Sequence, residues 1–284
     1  MAMDEKSLGK QLQAARQAGG LTQQQLCHQA NLSFSTLTKI ERGAIKAPSI
    51  FTIQSIAGAL GVGLDELLGN TVPSNPRRQL LKTRSGVSFV YFDVNGCLVH
   101  FYQRAFAKLA EATGAPPDAV ETAFWHYNDD ACRGTMSLND FNAKLAERLG
   151  VNEVSWQEYY LATVEPIEQM QELLQWASER YKIGLLTNIM PGLLSAMRRN
   201  GQLPNLAYDA VIDSSEVAAI KPEAKVYEIA AQKAGVKPEE ILLIDDARPN
   251  LMAAEKQGWH VLWFDDARPD ESVDRVRAAL EPAD

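Results

Sequence analysis

The sequence predicts two units of different class along its 284 residues. An all-α bundle comes first, followed by an α/β unit on a parallel sheet with a helical segment inserted into it. Three observations carry this. Apolar residues recur at helical spacing through roughly the first 70 residues. Five short β-branched and aromatic runs then alternate with helical stretches, as parallel strands joined by crossovers do. Between the first two runs lie more than eighty residues, whereas a crossover needs only about a dozen.

The amino-terminal elements follow from spacing and caps. Leu8, Leu12 and Ala15 share one helical face, and Gly19-Gly20 ends it. Thr22 is placed to cap a second helix running to about Ala30, and Asn31-Leu32-Ser33 makes a tight turn. Ser33 or Ser35 caps a third helix that runs through Ile40 and stops at Gly43. Pro48-Ser49 opens a fourth helix carrying Ile50, Ile53, Ile56, Ala57 and Leu60, and Leu64–Leu68 closes the bundle.

Two short helices joined by so tight a turn form a helix-turn-helix arrangement. The runs Leu21-Thr22-Gln23-Gln24-Gln25-Leu26, Leu37-Thr38-Lys39-Ile40-Glu41-Arg42-Gly43 and Leu64-Asp65-Glu66-Leu67-Leu68 make residues 7–69 resemble the Cro/phage-repressor family. The resemblance implies that Gln23, Ser33, Ser35, Thr36 and Lys39 face double-stranded DNA. Lys39 would bond phosphate, and the hydroxyls and amide would bond base edges or phosphates. Leu26, Leu37 and Ile40 are expected in the core. A protein-docking module is the competing reading of this bundle.

Asn70–Pro76 carries two prolines and no apolar period, so a linker is placed at 71–86, between a domain at 1–70 and another at 87–284. The strand-like runs are Val87–Phe92, Ile183–Leu186, Ala210–Ile212, Ile241–Ile244 and Val261–Phe264. They describe a Rossmann-like α/β core, at 87–100 and 163–284. Helices over Tyr102–Thr113, Asp118–Tyr127, Ser137–Leu149 and Ser155–Leu161 form an insertion at about 101–162, read as a cap above the sheet edge.

Four segments converge on that edge: Asp93-Val94-Asn95-Gly96, Leu186-Thr187-Asn188, Ile220-Lys221-Pro222 and Ile244-Asp245-Asp246. Open α/β sheets bind ligands at the carboxyl ends of their strands, and clustered carboxylates call for a balancing cation. The order of these segments makes residues 87–280 resemble the haloacid dehalogenase superfamily, in the branch with a helical cap between its first two motifs. The resemblance implies that Asp93 is the nucleophile that forms an aspartyl phosphate. It implies Mg²⁺ on the Asp93 carboxylate, the Asn95 backbone carbonyl, Asp246 and Asp245. Thr187 and the Asn188 amide would bond phosphoryl oxygens, and Lys221 would offset developing charge. Arg133, beside Gly134, is the cap residue favoured to face substrate.

Asn95 departs from the pattern, because phosphatases of this superfamily carry a second aspartate there as general acid and base. An amide cannot fill that role, which is typically worth about 10²–10⁴ in rate. The expectation is therefore a DNA-binding transcription regulator joined to a slow Mg²⁺-dependent phosphohydrolase. The alternative is a catalytically weak domain that senses a phosphorylated metabolite. Dehalogenation is disfavoured, since the superfamily's dehalogenases place tyrosine at the Asn95 position and do without metal.

Composition sets the remaining bounds. Net charge is −8, but unevenly spread: residues 1–72 sum to +1, 73–85 to +4 and 86–284 to −13. Only the amino-terminal part avoids repulsion by DNA, and so weak a charge makes a homodimer on paired half-sites the expected form. The three cysteines are scattered without metal-ligand spacing, which suggests free thiols in the cytoplasm. No membrane partner is expected, and residues 1–10 are polar, without a signal-peptide core.

Overall fold

The computed structural model describes residues 5–18, 21–30, 32–45, 48–60, 80–100 and 102–282. The chain divides into two compact units, residues 1–74 and 75–284. Among the described residues, no helix is long and apolar enough to cross a membrane. The expected closing segment Leu64–Leu68, the Gly19-Gly20 stop, Asn31 and the linker residues through 79 lie outside the described residues.

The first unit holds helices α1 (Glu5–Ala18), α2 (Gln23–Gln29), α3 (Phe34–Glu41) and α4 (Ile50–Leu60). Thr22 caps α2 in a capping box with Gln25, satisfying donors that a helix start leaves open. Of the two candidate caps for α3, Ser33 does the work, accepting from the Thr36 backbone N–H. Leu12, Leu26, Leu37, Ile40, Ile53 and Ile56 make the core. Gly9 brings α1 against the end of α3, where a Cβ would stand 2.6 Å from the Ile40 carbonyl oxygen. A buried pair fixes that contact: Arg16 Nε donates to Glu41 Oε1 at 2.7 Å, and Arg16 also donates to the Leu21 carbonyl.

The second unit is a five-stranded parallel sheet in the order β3-β2-β1-β4-β5. The strands are β1 (Phe89–Phe92), β2 (Lys182–Thr187), β3 (Ala210–Asp213), β4 (Ile241–Asp245) and β5 (His260–Trp263). β1 is central and buried on both faces, as strands of a parallel sheet are. Val90 and Phe92 enter the apolar layer on one face, and Phe89 and Tyr91 enter the layer on the other. Helices α9 (Glu168–Ser178), α10 (Leu193–Arg199) and α14 (Pro269–Ala279) bury residues in the first layer. Helices α12 (Ala224–Ala234) and α13 (Arg248–Lys256) bury theirs in the second. A single turn of helix, α11 (Ser214–Val217), follows β3.

Helices α5 (Gln103–Thr113), α6 (Pro117–Cys132), α7 (Leu138–Leu149) and α8 (Trp156–Thr163) are inserted between β1 and β2. The chain enters and leaves this insertion along one two-stranded neck. Val99 bridges Pro166 in antiparallel fashion, the His100 N–H donates to Glu165 and the Ile167 N–H to Leu98. Phe106, Phe124, Phe141, Trp156 and Tyr160 pack within the insertion and merge with the first sheet layer.

Candidate active site

Strand order puts β1 at the point where connections diverge to either side, the place where open α/β sheets take ligands. Phe92 pairs with Leu185 on one side and Ile244 on the other. The residues that follow each strand, Asp93, Thr187 and Asp245-Asp246, therefore gather at one edge. Gly96, at φ +82, turns the chain after β1, and a Cβ there would stand 2.3 Å from an Asp246 carboxylate oxygen. Only glycine permits this approach.

Oxygen atoms of Asp93, Asp245 and Asp246 lie within 4.8 Å of one another. Lys221, 2% exposed, reaches between two of these carboxylates. Its Nζ stands 2.9 Å from Asp93 Oδ1 and 2.5 Å from Asp245 Oδ2. Asp245 is fully buried and also accepts from the Ala247 N–H and the Asn250 amide. Burial pushes the Asp93 carboxyl up to about 7, with Lys221 opposing and Asp245 and Asp246 adding to the rise. Burial likewise raises Asp246 to about 6, reinforced by Asp245. For Lys221, burial works against the ammonium, but Asp245 and Asp93 outweigh it and raise its pKa. When all are ionised, three carboxylates against one ammonium leave two negative charges, and a divalent cation brings the sum to zero. An all-oxygen donor set suits a hard ion such as Mg²⁺.

Two buried polar atoms at this edge have no hydrogen-bond partner among the described residues, Thr187 Oγ1 and Asn95 Nδ2. Asn188 is placed differently: its side-chain amide donates to the Lys221 carbonyl and accepts the Lys221 N–H, both at 2.8 Å, which fixes the loop carrying the lysine. Arg133 is the C-cap of α6, in the turn that runs on through Gly134. Its guanidinium pairs with Glu223 at 2.6 Å, beside the Lys221 loop, and with Asp130. One residue that sequence reasoning passed over belongs here as well. Tyr160 of α8 donates its hydroxyl to Asn95 Oδ1 at 2.5 Å. No sequence signal marks a contact made across 65 positions.

In the first unit, Ser35 and Lys39 are exposed along α3 and Thr36 is half-buried. Ser33 is also exposed, but its hydroxyl is engaged by Thr36 and Ser35. Gln23 is half-buried, and its amide nitrogen donates to Glu41 at 2.7 Å.

Comparison with known proteins agrees with both units. A helix-turn-helix family profile matches residues 12–67, and a haloacid dehalogenase-like hydrolase profile matches residues 88–258. Phosphatase MT3486 of Mycobacterium tuberculosis is 30% identical over 173 residues, covering 56% of this chain and 79% of that protein. The immunity repressor of Bacillus phage phi105 is 41% identical over 63 residues, covering 22% of this chain and 43% of the repressor. Among solved structures, a HAD family enzyme of Bacteroides thetaiotaomicron, determined as a magnesium complex, shares the fold. It superposes at TM-score 0.57 with 18% identity, covering 67% of this chain and 99% of that one. The chain belongs to the haloacid dehalogenase-like hydrolase family and carries a Cro/repressor-type helix-turn-helix DNA-binding domain ahead of the hydrolase fold.

Proposed function

We propose that the second unit is a slow Mg²⁺-dependent phosphohydrolase working through an aspartyl phosphate on Asp93, attached to a head that reads double-stranded DNA. The observation that carries this reading is the grouping of Asp93, Asp245 and Asp246 around Lys221. A buried cluster with excess negative charge suits a cation and a phosphoryl group better than an apolar ligand. The Asp93 and Asp246 carboxylates and the Asn95 backbone carbonyl would hold Mg²⁺, with Asp245 beside them. When bound, the ion neutralises phosphate charge that would otherwise oppose attack by a carboxylate.

Asp93 Oδ attacks phosphorus, and the bond to the leaving oxygen breaks. The Asp93 backbone N–H is tied to the Ile244 carbonyl at 3.0 Å and Oδ1 to the Val94 N–H at 2.7 Å. The nucleophile is therefore held in place before substrate arrives. The Thr187 hydroxyl bonds a phosphoryl oxygen, as does the Asn188 backbone N–H, and Lys221 keeps a positive charge beside the reacting centre. The α5–α8 insertion acts as a cap, with Arg133 at its contact with the core. Asn95 can neither protonate the leaving oxygen nor activate water, so aryl and other activated phosphates turn over best.

That same residue favours a second reading, in which the domain holds a phosphorylated metabolite, or a long-lived phosphoryl group on Asp93, and biases DNA binding with little turnover. The head binds duplex through Ser35, Thr36 and Lys39, with Gln23 and Ser33 at the start of the motif helices. Its small positive charge makes a homodimer on paired half-sites the effective form.

The outcomes are measurable. With an aryl phosphate and Mg²⁺, turnover by the native chain exceeds that of Asp93→Asn. On an alkyl phosphate, Asn95→Asp raises kcat by at least about 10²-fold. Native rates equal to those of Asp93→Asn on every phosphate ester would remove the hydrolase reading.

Stability reports on the same cluster. Asp93 and Asp246 titrate in the folded chain at about 7 and about 6, above the usual carboxylate range of about 4. Between those limits the folded state binds more protons than the unfolded one. Their contribution is thus full below the usual range and is lost as pH rises through about 7. Mg²⁺ should accordingly raise Tm more at about pH 8 than at about pH 5.5. An equal rise at both would argue against metal on these carboxylates.

For the head, Lys39→Ala should weaken binding to an enriched duplex by about two- to tenfold and flatten its salt dependence. Affinity and salt slope matching the native chain would place Lys39 outside the interface.

A further inference from the structure

Asn95 is more than a missing acid. Its carboxamide is buried, 4% exposed, and its two ends meet different surroundings. Oδ1 accepts the Tyr160 hydroxyl at 2.5 Å, whereas Nδ2 is buried with no partner among the described residues. The other acceptor near that hydroxyl is Met197 Sδ at 3.3 Å. A thioether is a poor acceptor beside an amide oxygen, so the Tyr160 proton goes to Asn95 and sets which way its amide faces.

The Tyr160 ring has little freedom to give up this role. It is 1% exposed, lies parallel to Trp156 with centroids 6.2 Å apart and meets Tyr102 edge-on at 5.3 Å. Side chains locked by packing hold their partners to a set geometry. The orphaned Nδ2 donors are costly until an acceptor arrives. They stand two residues beyond Asp93, at the edge where Thr187 Oγ1 also lacks a partner. No carboxylate of the Asp93, Asp245 and Asp246 cluster takes this bond.

We propose that Tyr160 is a positioning residue which turns the Asn95 amide into a fixed hydrogen-bond donor for a phosphoryl oxygen. The exchange of acid for amide thus strengthens retention of phosphate where it weakens turnover. The Tyr160 hydroxyl that sets the amide comes from the helical insertion, so the tightened site exists only with α8 docked on the core. The inference rests on the phosphoryl site proposed above and adds Tyr160 and the direction of the Asn95 amide to it.

The test is calorimetric binding of inorganic phosphate in the presence of Mg²⁺ by the full chain. It compares the native protein with Tyr160→Phe, Asn95→Ala and the double variant, each checked for native thermal unfolding. Tyr160→Phe keeps the ring and removes only the hydroxyl. Each single variant should bind phosphate about five- to tenfold more weakly, the worth of one hydrogen bond. The double variant should be no weaker than Asn95→Ala alone, because the two groups act as one. A Tyr160→Phe affinity equal to the native one, or losses that multiply in the double variant, would overturn the role given to Tyr160 and leave the phosphoryl site standing. Failure of the native chain to bind phosphate at all would overturn both.

Discussion

Holding two buried carboxylates and a half-buried third beside a single ammonium is the constraint on which the second unit depends. An isolated buried charge is costly, and like charges at close range are worse. The fold meets this with Lys221 bridging Asp93 and Asp245, and with the Ala247 N–H and Asn250 amide on Asp245. What it leaves uncompensated is a negative excess beside buried polar atoms without partners among the described residues, and the proposed cation and phosphoryl group would answer both. The surroundings of Lys221 follow from this need. The Asn188 amide clamps its backbone from both sides, and Glu223 two positions on is tied to Arg133 of the insertion.

The first unit solves a related problem with a different outcome. Arg16 and Glu41 are both 8% exposed, and Gln23 joins them through Glu41. A buried pair of this kind fixes geometry more than it adds stability. Here it sets the end of α3 against α1 and draws Gln23 inward.

Much of this architecture was legible in the sequence because it is written in local patterns. Apolar runs around Phe92, Leu185 and Ile244 mark buried parallel strands, and the acidic or hydroxyl residue at each end marks the site edge. Thr22 and Ser33 are readable as caps because capping is a property of a few adjacent residues. Helix α6 runs on to Cys132, beyond the expected end at Tyr127, because Asn128-Asp129-Asp130 is only a weak breaker and the true stop is Gly134. Helix α14 went unread, since Val273 and Val276 are few apolar signals among many charges. The contacts that could not be read are distant ones. Tyr160 meets Asn95 and Arg133 meets Glu223 only once the insertion has folded back along its neck, and no spacing rule reaches that far.

The most direct measurement is a crystal structure of the chain with Mg²⁺ and beryllofluoride, a mimic of the aspartyl phosphate. The metal should sit on the Asp93 and Asp246 carboxylates and the Asn95 backbone carbonyl, with the beryllium on Asp93 and its fluorides meeting Thr187, Lys221 and the Asn95 amide. A metal bound elsewhere, or an unmodified Asp93 with its cluster closed on Lys221 alone, would contradict the account.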